Sequence, residues 1–219
     1  MLSIYVLVEG NTEARFVEEV LAKEPSLNGL ALHAPRFGKP GHKGGVPSFN
    51  AAKNEITNFL RQQTETVVTM MVDYYALPQS WPGVSEAKGN PQIIEQALAG
   101  DIKEEMGSSF KPNRFIPFIQ MHEFEAILFS DPAKMARELG RPKLEKSFNN
   151  IRKQFNSPEE INDNPQTSPS HRILKLFPKY EKPIHGVLIS LEIGLDQIKH
   201  SCPHFGEWLA KLEALAPQL

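Results

Sequence analysis

The 219-residue chain is 40% hydrophobic and 23% charged, so it can bury one substantial core with room for an appended subdomain. Its single cysteine, Cys202, excludes an internal disulfide and a cysteine-based zinc cage. A net charge of −2 excludes a general electrostatic attraction to nucleic acid, so any such binding must rest on local basic patches.

The opening MLSIYVLVEG lacks the basic region and cleavage site of a signal peptide, and no apolar run approaches the roughly 20 residues of a membrane-spanning helix. A cytoplasmic protein with no membrane partner is expected. Residues 2–8 are β-branched and apolar almost throughout, as in a central parallel strand covered on both faces. Glu9-Gly10-Asn11-Thr12 then turns the chain, and Thr12 is placed to cap a helix over 12–23 with Phe16, Val17, Val20 and Leu21 on one face. A second strand is expected over 30–34, then a Gly/Lys/His loop over 36–47 and a helix over 48–62. Residues 66–72 read as a strand ending at Asp73. After a turn-rich stretch, Pro91 suits the first position of a helix running to Met106. Residues 115–121 read as a fourth strand, which Pro117 assigns to a sheet edge or a bulge. This alternation predicts a mostly parallel sheet wrapped by helices. Beyond Met121 the pattern is helical, with breaks at Pro132, at Arg141-Pro142 and over 156–169, and a last helix over 203–216 carries Trp208, Leu209 and Leu212. The division is an α/β core over 1–130 and a helical C-terminal subdomain over 131–219, packed on the core.

Ligands of open parallel sheets bind beyond the carboxyl ends of the strands, and here those positions are acidic. The first strand delivers Glu9 and the third Asp73, while the fourth leads into His122, Glu123 and Glu125, with Asp131 shortly after. Such oxygen ligands suit Mg²⁺ or Mn²⁺ completed by water and substrate phosphate; as isolated residues they would equally serve as solvated helix caps. On a helix, Glu123 and Glu125 would diverge by about 200° and only one could face a metal; if the first turn is not helical, both can. His122 can ligate metal, orient a phosphate or serve as a structural hydrogen-bonder. In the loop around Lys43, Gly44 and Gly45, glycines let backbone amides approach an anion, but no Walker spacing is present. Ser168-Pro169-Ser170-His171-Arg172 begins a helix whose free amides, with Ser170, His171 and Arg172, can hold a phosphate oxygen; capping by Ser168 explains the serines equally well. Lys175, Lys179 and Lys182 add positive charge. Tyr74 and Tyr75 can stack on a base or pack under the adjacent helix.

The runs Val8-Glu9-Gly10-Asn11-Thr12-Glu13, Val72-Asp73-Tyr74-Tyr75-Ala76-Leu77-Pro78 and His122-Glu123-Phe124-Glu125-Ala126-Ile127-Leu128-Phe129-Ser130-Asp131, with Ser168-Pro169-Ser170-His171-Arg172-Ile173 and Tyr180-Glu181-Lys182, resemble the bacterial family called domain of unknown function 4276. That family is similar to Toprim domains, the fold of topoisomerases, primases and overcoming-lysogenization-defect nucleases. The resemblance implies a Toprim-like fold, Mg²⁺ or Mn²⁺ at strand-end acids, and phosphoryl-transfer chemistry. It matches Glu9 to the Toprim glutamate, with an acid/base or metal-linked role, and Asp73 to the first aspartate of an Asp-x-Asp motif. Tyr75 stands where the second aspartate would be, so Glu123 or Glu125 is expected to supply that carboxylate. It also ranks Lys182 first among the lysines. The expected function is a metal-dependent nuclease of RNA or DNA serving bacterial anti-phage defence, with nucleic acid and an AAA- or ABC-type ATPase as partners; a homodimer is compatible with it. The alternatives are a non-catalytic partner module of an ATPase and a small-molecule phosphohydrolase.

Overall fold

A computed structural model describes residues 1–38, 45–161 and 166–217. Four strands, β1 (Leu2–Val8), β2 (Leu30–His33), β3 (Val67–Asp73) and β4 (Phe115–Gln120), form an all-parallel sheet in the order β2-β1-β3-β4. Between them run α1 (Asn11–Glu19), α2 (Phe49–Gln62), the short α3 (Val84–Ala87) and α4 (Pro91–Met106). A 3₁₀ helix, Phe124–Ser130, then leads into α5 (Pro132–Glu138), α6 (Glu145–Arg152), α7 (Pro169–Leu176), α8 (Lys182–Ile193), α9 (Leu195–Ser201) and α10 (Pro203–Glu213). Among the described residues no helix is long and apolar enough to cross a membrane.

Alternation along the strands sorts the core into two layers. Ile4, Val6 and Val8 of β1, Val67 and Met71 of β3, and Ile116 and Phe118 of β4 belong to one. Leu7, Val68, Met70, Val72, Phe115 and Ile119 belong to the other, where Ile56 and Leu60 of α2 and Ile94 and Leu98 of α4 cover them. Right-handed crossovers put α1, on the way out to β2, on the face opposite α2 and α4. One short helix cannot cover that face. The C-terminal helices complete it: Trp208 of α10 stacks on Phe118 with ring centroids 4.6 Å apart and donates its Nε1–H to Thr69 Oγ1 at 2.9 Å. They therefore share one hydrophobic core with the sheet.

Local details depart from expectation for identifiable reasons. Gly10, not Thr12, is the N-cap of α1, because Glu13 reaches back and accepts the Gly10 N–H through Oε2 at 3.0 Å, one half of a capping box. The helix stops at Glu19, and a 3₁₀ turn, Leu21–Lys23, finishes the stretch expected to be α-helical. β4 is an edge strand, as Pro117 requires. On its outer side Pro117 has no N–H, and the Ile119 N–H is donated to Glu95 Oε1 of α4 at 2.9 Å. His204 Nε2 of α10 lies 2.9 Å from the same oxygen, an ion-pair contact without hydrogen-bond alignment. The two helical layers thus meet around the edge of β4.

Trp208 is 2% exposed and joins a large ring to a buried hydroxyl partner. Trp208→Ala is expected to cost about 3–5 kcal/mol, read as a lower denaturant midpoint, whereas Trp208→Phe should lose less because the stacked ring survives.

Candidate functional site

The chain leaves β1 toward β2 on one side and returns to β3 on the other, so the order reverses between β1 and β3. A crevice opens beyond the carboxyl ends of strands at such a point. Glu9 directly follows β1, and Asp73 is the last residue of β3. Asp73 Oδ1 accepts the Phe124 N–H at 2.9 Å, which ties the end of β3 to the segment after β4. That segment is extended at Glu123 and 3₁₀-helical from Phe124, so the two glutamates are not forced apart as on an α-helix. Glu123 Oε2 accepts the Ser170 N–H from the first turn of α7 at 2.9 Å. Glu125 is fully buried; Lys182 Nζ donates to its Oε2 at 3.0 Å and Tyr180 Oη to its Oε1 at 3.4 Å.

Lys182 opens α8, and Gly186 lets that helix come close enough. A Cβ on Gly186 would lie 3.0 Å from the Phe124 ring and 3.3 Å from Tyr180 Oη. Around Lys182 the carboxylates act on one another. Burial, then Glu13, lifts the Glu9 pKa to about 7, with Glu123 adding to the rise and Lys182 opposing it. Burial raises Asp73 well above the usual range, reinforced by Glu13, Glu125 and Glu9. Burial also raises Glu13 and Glu125, each partly offset by Lys182. Burial pulls Lys182 itself down, but Glu125 and Glu123 outweigh it and leave its pKa raised, so it stays cationic. Among the described residues, Glu9, Glu13, Asp73, Glu123 and Glu125 therefore share one lysine.

In the sequence Glu13 and Tyr180 stand only within the runs that resemble the family, with no role of their own. Glu13 sits one helical turn after Glu9, and only its conversion into a cap points it back toward the strand ends. The other expected residues divide. His122 is 8% exposed, with its ring packed against Tyr74 and Tyr75 at 5.7 and 5.8 Å. Asp131 caps α5 by accepting the Ala133 and Lys134 N–H groups at 3.0 and 2.9 Å. Gly45, at φ +109°, donates its N–H to the Glu9 carbonyl at 3.5 Å; Lys43 and Gly44 lie outside the described residues. The start of α7 offers less to a phosphate than expected, since Glu123 already takes the Ser170 amide. Ser168 makes no side-chain cap; its Oγ lies 3.1 Å from His171 Nδ1. Arg172 donates Nε–H to Thr167 O at 2.6 Å and lies over the Phe155 ring.

The donor set suits a hard divalent cation: carboxylate oxygens, one of which, Glu9 Oε2, is buried without a hydrogen-bond partner among the described residues. Asp73 and Glu123 are each fixed through one oxygen by a backbone amide, which leaves the second as the donor on offer. As they stand, no three His, Cys, Asp or Glu side chains among the described residues form a complete cage. The fit is to an ion that takes one or two carboxylates and fills its remaining positions with water and phosphate.

The family model described as "Domain of unknown function (DUF4276)" matches residues 8–213. No curated protein and no solved structure matches the chain.

The raised Glu9 pKa fixes a pH dependence. Folded Glu9 keeps its proton up to about pH 7, while the unfolded chain releases it near 4.5. Between those values the native state binds more protons, so stability falls as pH rises, and the whole penalty is present above pH 7. In metal-free buffer Glu9→Gln should match wild type near pH 4 and exceed it at pH 8. The Tm difference should be several degrees, since each kcal/mol moves Tm by roughly 2–4 °C in a chain of this size.

Proposed function

The chain belongs to the DUF4276 family, whose description assigns no chemistry, and we propose from its site that it is a metal-dependent nuclease hydrolysing phosphodiesters of RNA or DNA. The observation that carries this reading is the meeting of acids from the ends of β1 and β3 and from beyond β4 around Lys182, the one lysine that faces them among the described residues. A Toprim-like assignment belongs to the same proposal and draws support from the all-parallel sheet with Glu9 and Asp73 beyond adjacent strands.

In this mechanism Asp73 and Glu123 would hold Mg²⁺ or Mn²⁺ through the oxygens their backbone partners leave. When bound, such an ion polarises the phosphodiester and eases deprotonation of water. Glu9 stands beside them as the proton acceptor: with a pKa about 7 it exchanges a proton at neutral pH, and its Oε2 has no partner in the described protein. Lys182 faces the negative charge that grows on the phosphoryl oxygens. Glu125 orients Lys182 and does not ligate, because Lys182 and Tyr180 occupy its two oxygens. The non-catalytic, ATPase-bound reading draws on one observation, the packing of Tyr75 against His122 where the resemblance would have an aspartate.

The test is Mn²⁺ titration followed by incubation with labelled single-stranded DNA and RNA. Wild type should bind Mn²⁺ saturably and cut at least one of the two. Asp73→Asn should weaken Mn²⁺ binding at least about tenfold, and Glu9→Gln should slow cleavage by about 10²–10⁴. A wild-type protein that neither binds Mn²⁺ at millimolar concentration, with or without oligonucleotide, nor cuts would overturn the nuclease reading in favour of the partner module.

A further inference from the structure

Beside the acidic site lies a cavity of about 520 Å³ lined by Asn11, Arg15, Glu18, Arg36 and Pro183, among others. Asn11 is two residues past Glu9, and Pro183 directly follows Lys182, so the cavity adjoins the acidic cluster on both counts; consecutive Cα atoms are only about 3.8 Å apart. Arg36 is exposed but not loosely held. It forms a parallel bridge with Val8 at the end of β1, where Val8 N–H donates to Pro35 O and Phe37 N–H to Val8 O, both at 3.0 Å. Its guanidinium is anchored by Nη1–H to Asn11 Oδ1 at 2.6 Å, a neutral acceptor, and it forms no ion pair among the described residues, although Glu18 lines the same cavity. Arg15 of α1 donates Nη1–H to Pro183 O at 2.6 Å and Nε–H to Glu19 at 2.7 Å.

A polynucleotide brings phosphates on either side of the one being cut, and the excess of acid at the cluster repels them. Lys182 stands at the scissile phosphate and is already shared with Glu125. Something cationic must hold the neighbouring phosphate, and a guanidinium already fixed at one edge presents its remaining N–H groups as a fork at reduced entropic cost. We propose that Arg36 and Arg15 form a binding site for the backbone phosphate adjacent to the scissile one, making the substrate a polynucleotide rather than a small phosphate ester. This rests on the nuclease reading of the adjoining acids.

The experiment measures fluorescence anisotropy of a labelled single-stranded oligonucleotide, as DNA and as RNA, with Ca²⁺ in place of Mg²⁺ across a salt series. In Arg15→Gln/Arg36→Gln the slope of log affinity against log salt should shallow by about 1.4, two contacts at about 0.7 each, with about tenfold weaker binding at low salt. If that variant does not fold, Arg36→Gln, at an exposed side chain, should shallow it by about 0.7, and Arg36→Lys should restore the slope by restoring the charge. Lys143→Gln/Lys146→Gln, beside α6, removes as much charge outside the cavity and should keep the wild-type slope. An unchanged slope in the arginine variants, or an equal loss in the lysine variant, overturns the site while leaving the nuclease reading standing. Displacement of the oligonucleotide by polyglutamate at equal charge overturns it in favour of an acidic peptide ligand. Wild type that binds neither oligonucleotide removes the nuclease reading, and this site with it.

Discussion

A carboxylate withdrawn from water is stable only when something positive or hydrogen-bonding replaces that water. In this chain Glu9, Glu13, Asp73 and Glu125 are withdrawn together, and Lys182 is the cation set among them. The rest of the local structure serves that arrangement. Gly186 brings α8 against Phe124 so that the lysine arrives, Tyr180 completes the coordination of Glu125, and backbone amides at Gly10, Phe124 and Ser170 each absorb one carboxylate oxygen. Of these carboxylates, Glu9 is the one with a buried oxygen left without a hydrogen-bond partner among the described residues. A buried carboxyl held there costs stability that an uncharged residue of similar shape would not.

The sheet order explains why these groups meet. Reversal between β1 and β3 leaves their carboxyl ends uncovered by crossover helices, and the segment after β4 folds over the gap as a 3₁₀ helix rather than departing as an α-helix. The face that α1 leaves partly uncovered demands more helices, and that stretch also delivers Lys182 at the start of α8 and Tyr180 in the turn before it. Closing the core and completing the site are accomplished by the same stretch of chain.

The strands were legible because parallel strands buried on both faces must be apolar throughout, and β1 and β3 read that way without help from partners. Pro117 announced the edge strand for an equally local reason. Strand-end acids were legible through topology. Glu13 was not, since its orientation depends on a glycine N-cap that the usual preference for Ser or Thr overlooks. Tyr180 and Arg36 depend on contacts made across the fold, with Glu125 and with the end of β1, which no local pattern encodes. Arg172 shows the converse: a suitable residue at a suitable helix start, turned instead toward Thr167 O and the Phe155 ring. The lysine that meets Glu125 was ranked by family resemblance, as its charge alone resembled that of its neighbours.

Parallel sheets carry a hazard at their outermost strands, where unpaired amides invite another chain to continue the ladder. Along β4 that invitation is withdrawn: Pro117 offers no donor, the Ile119 amide is engaged by Glu95, and His204 closes over the same carboxylate from the other layer. Two copies of this protein therefore cannot assemble by extending their sheets through the middle of β4, and a dimer would have to form through helices or through the four-residue β2. The carboxyl-end crevice lies between β1 and β3, in the interior of the sheet order, so pairing at the outer edge of β4 would not close it.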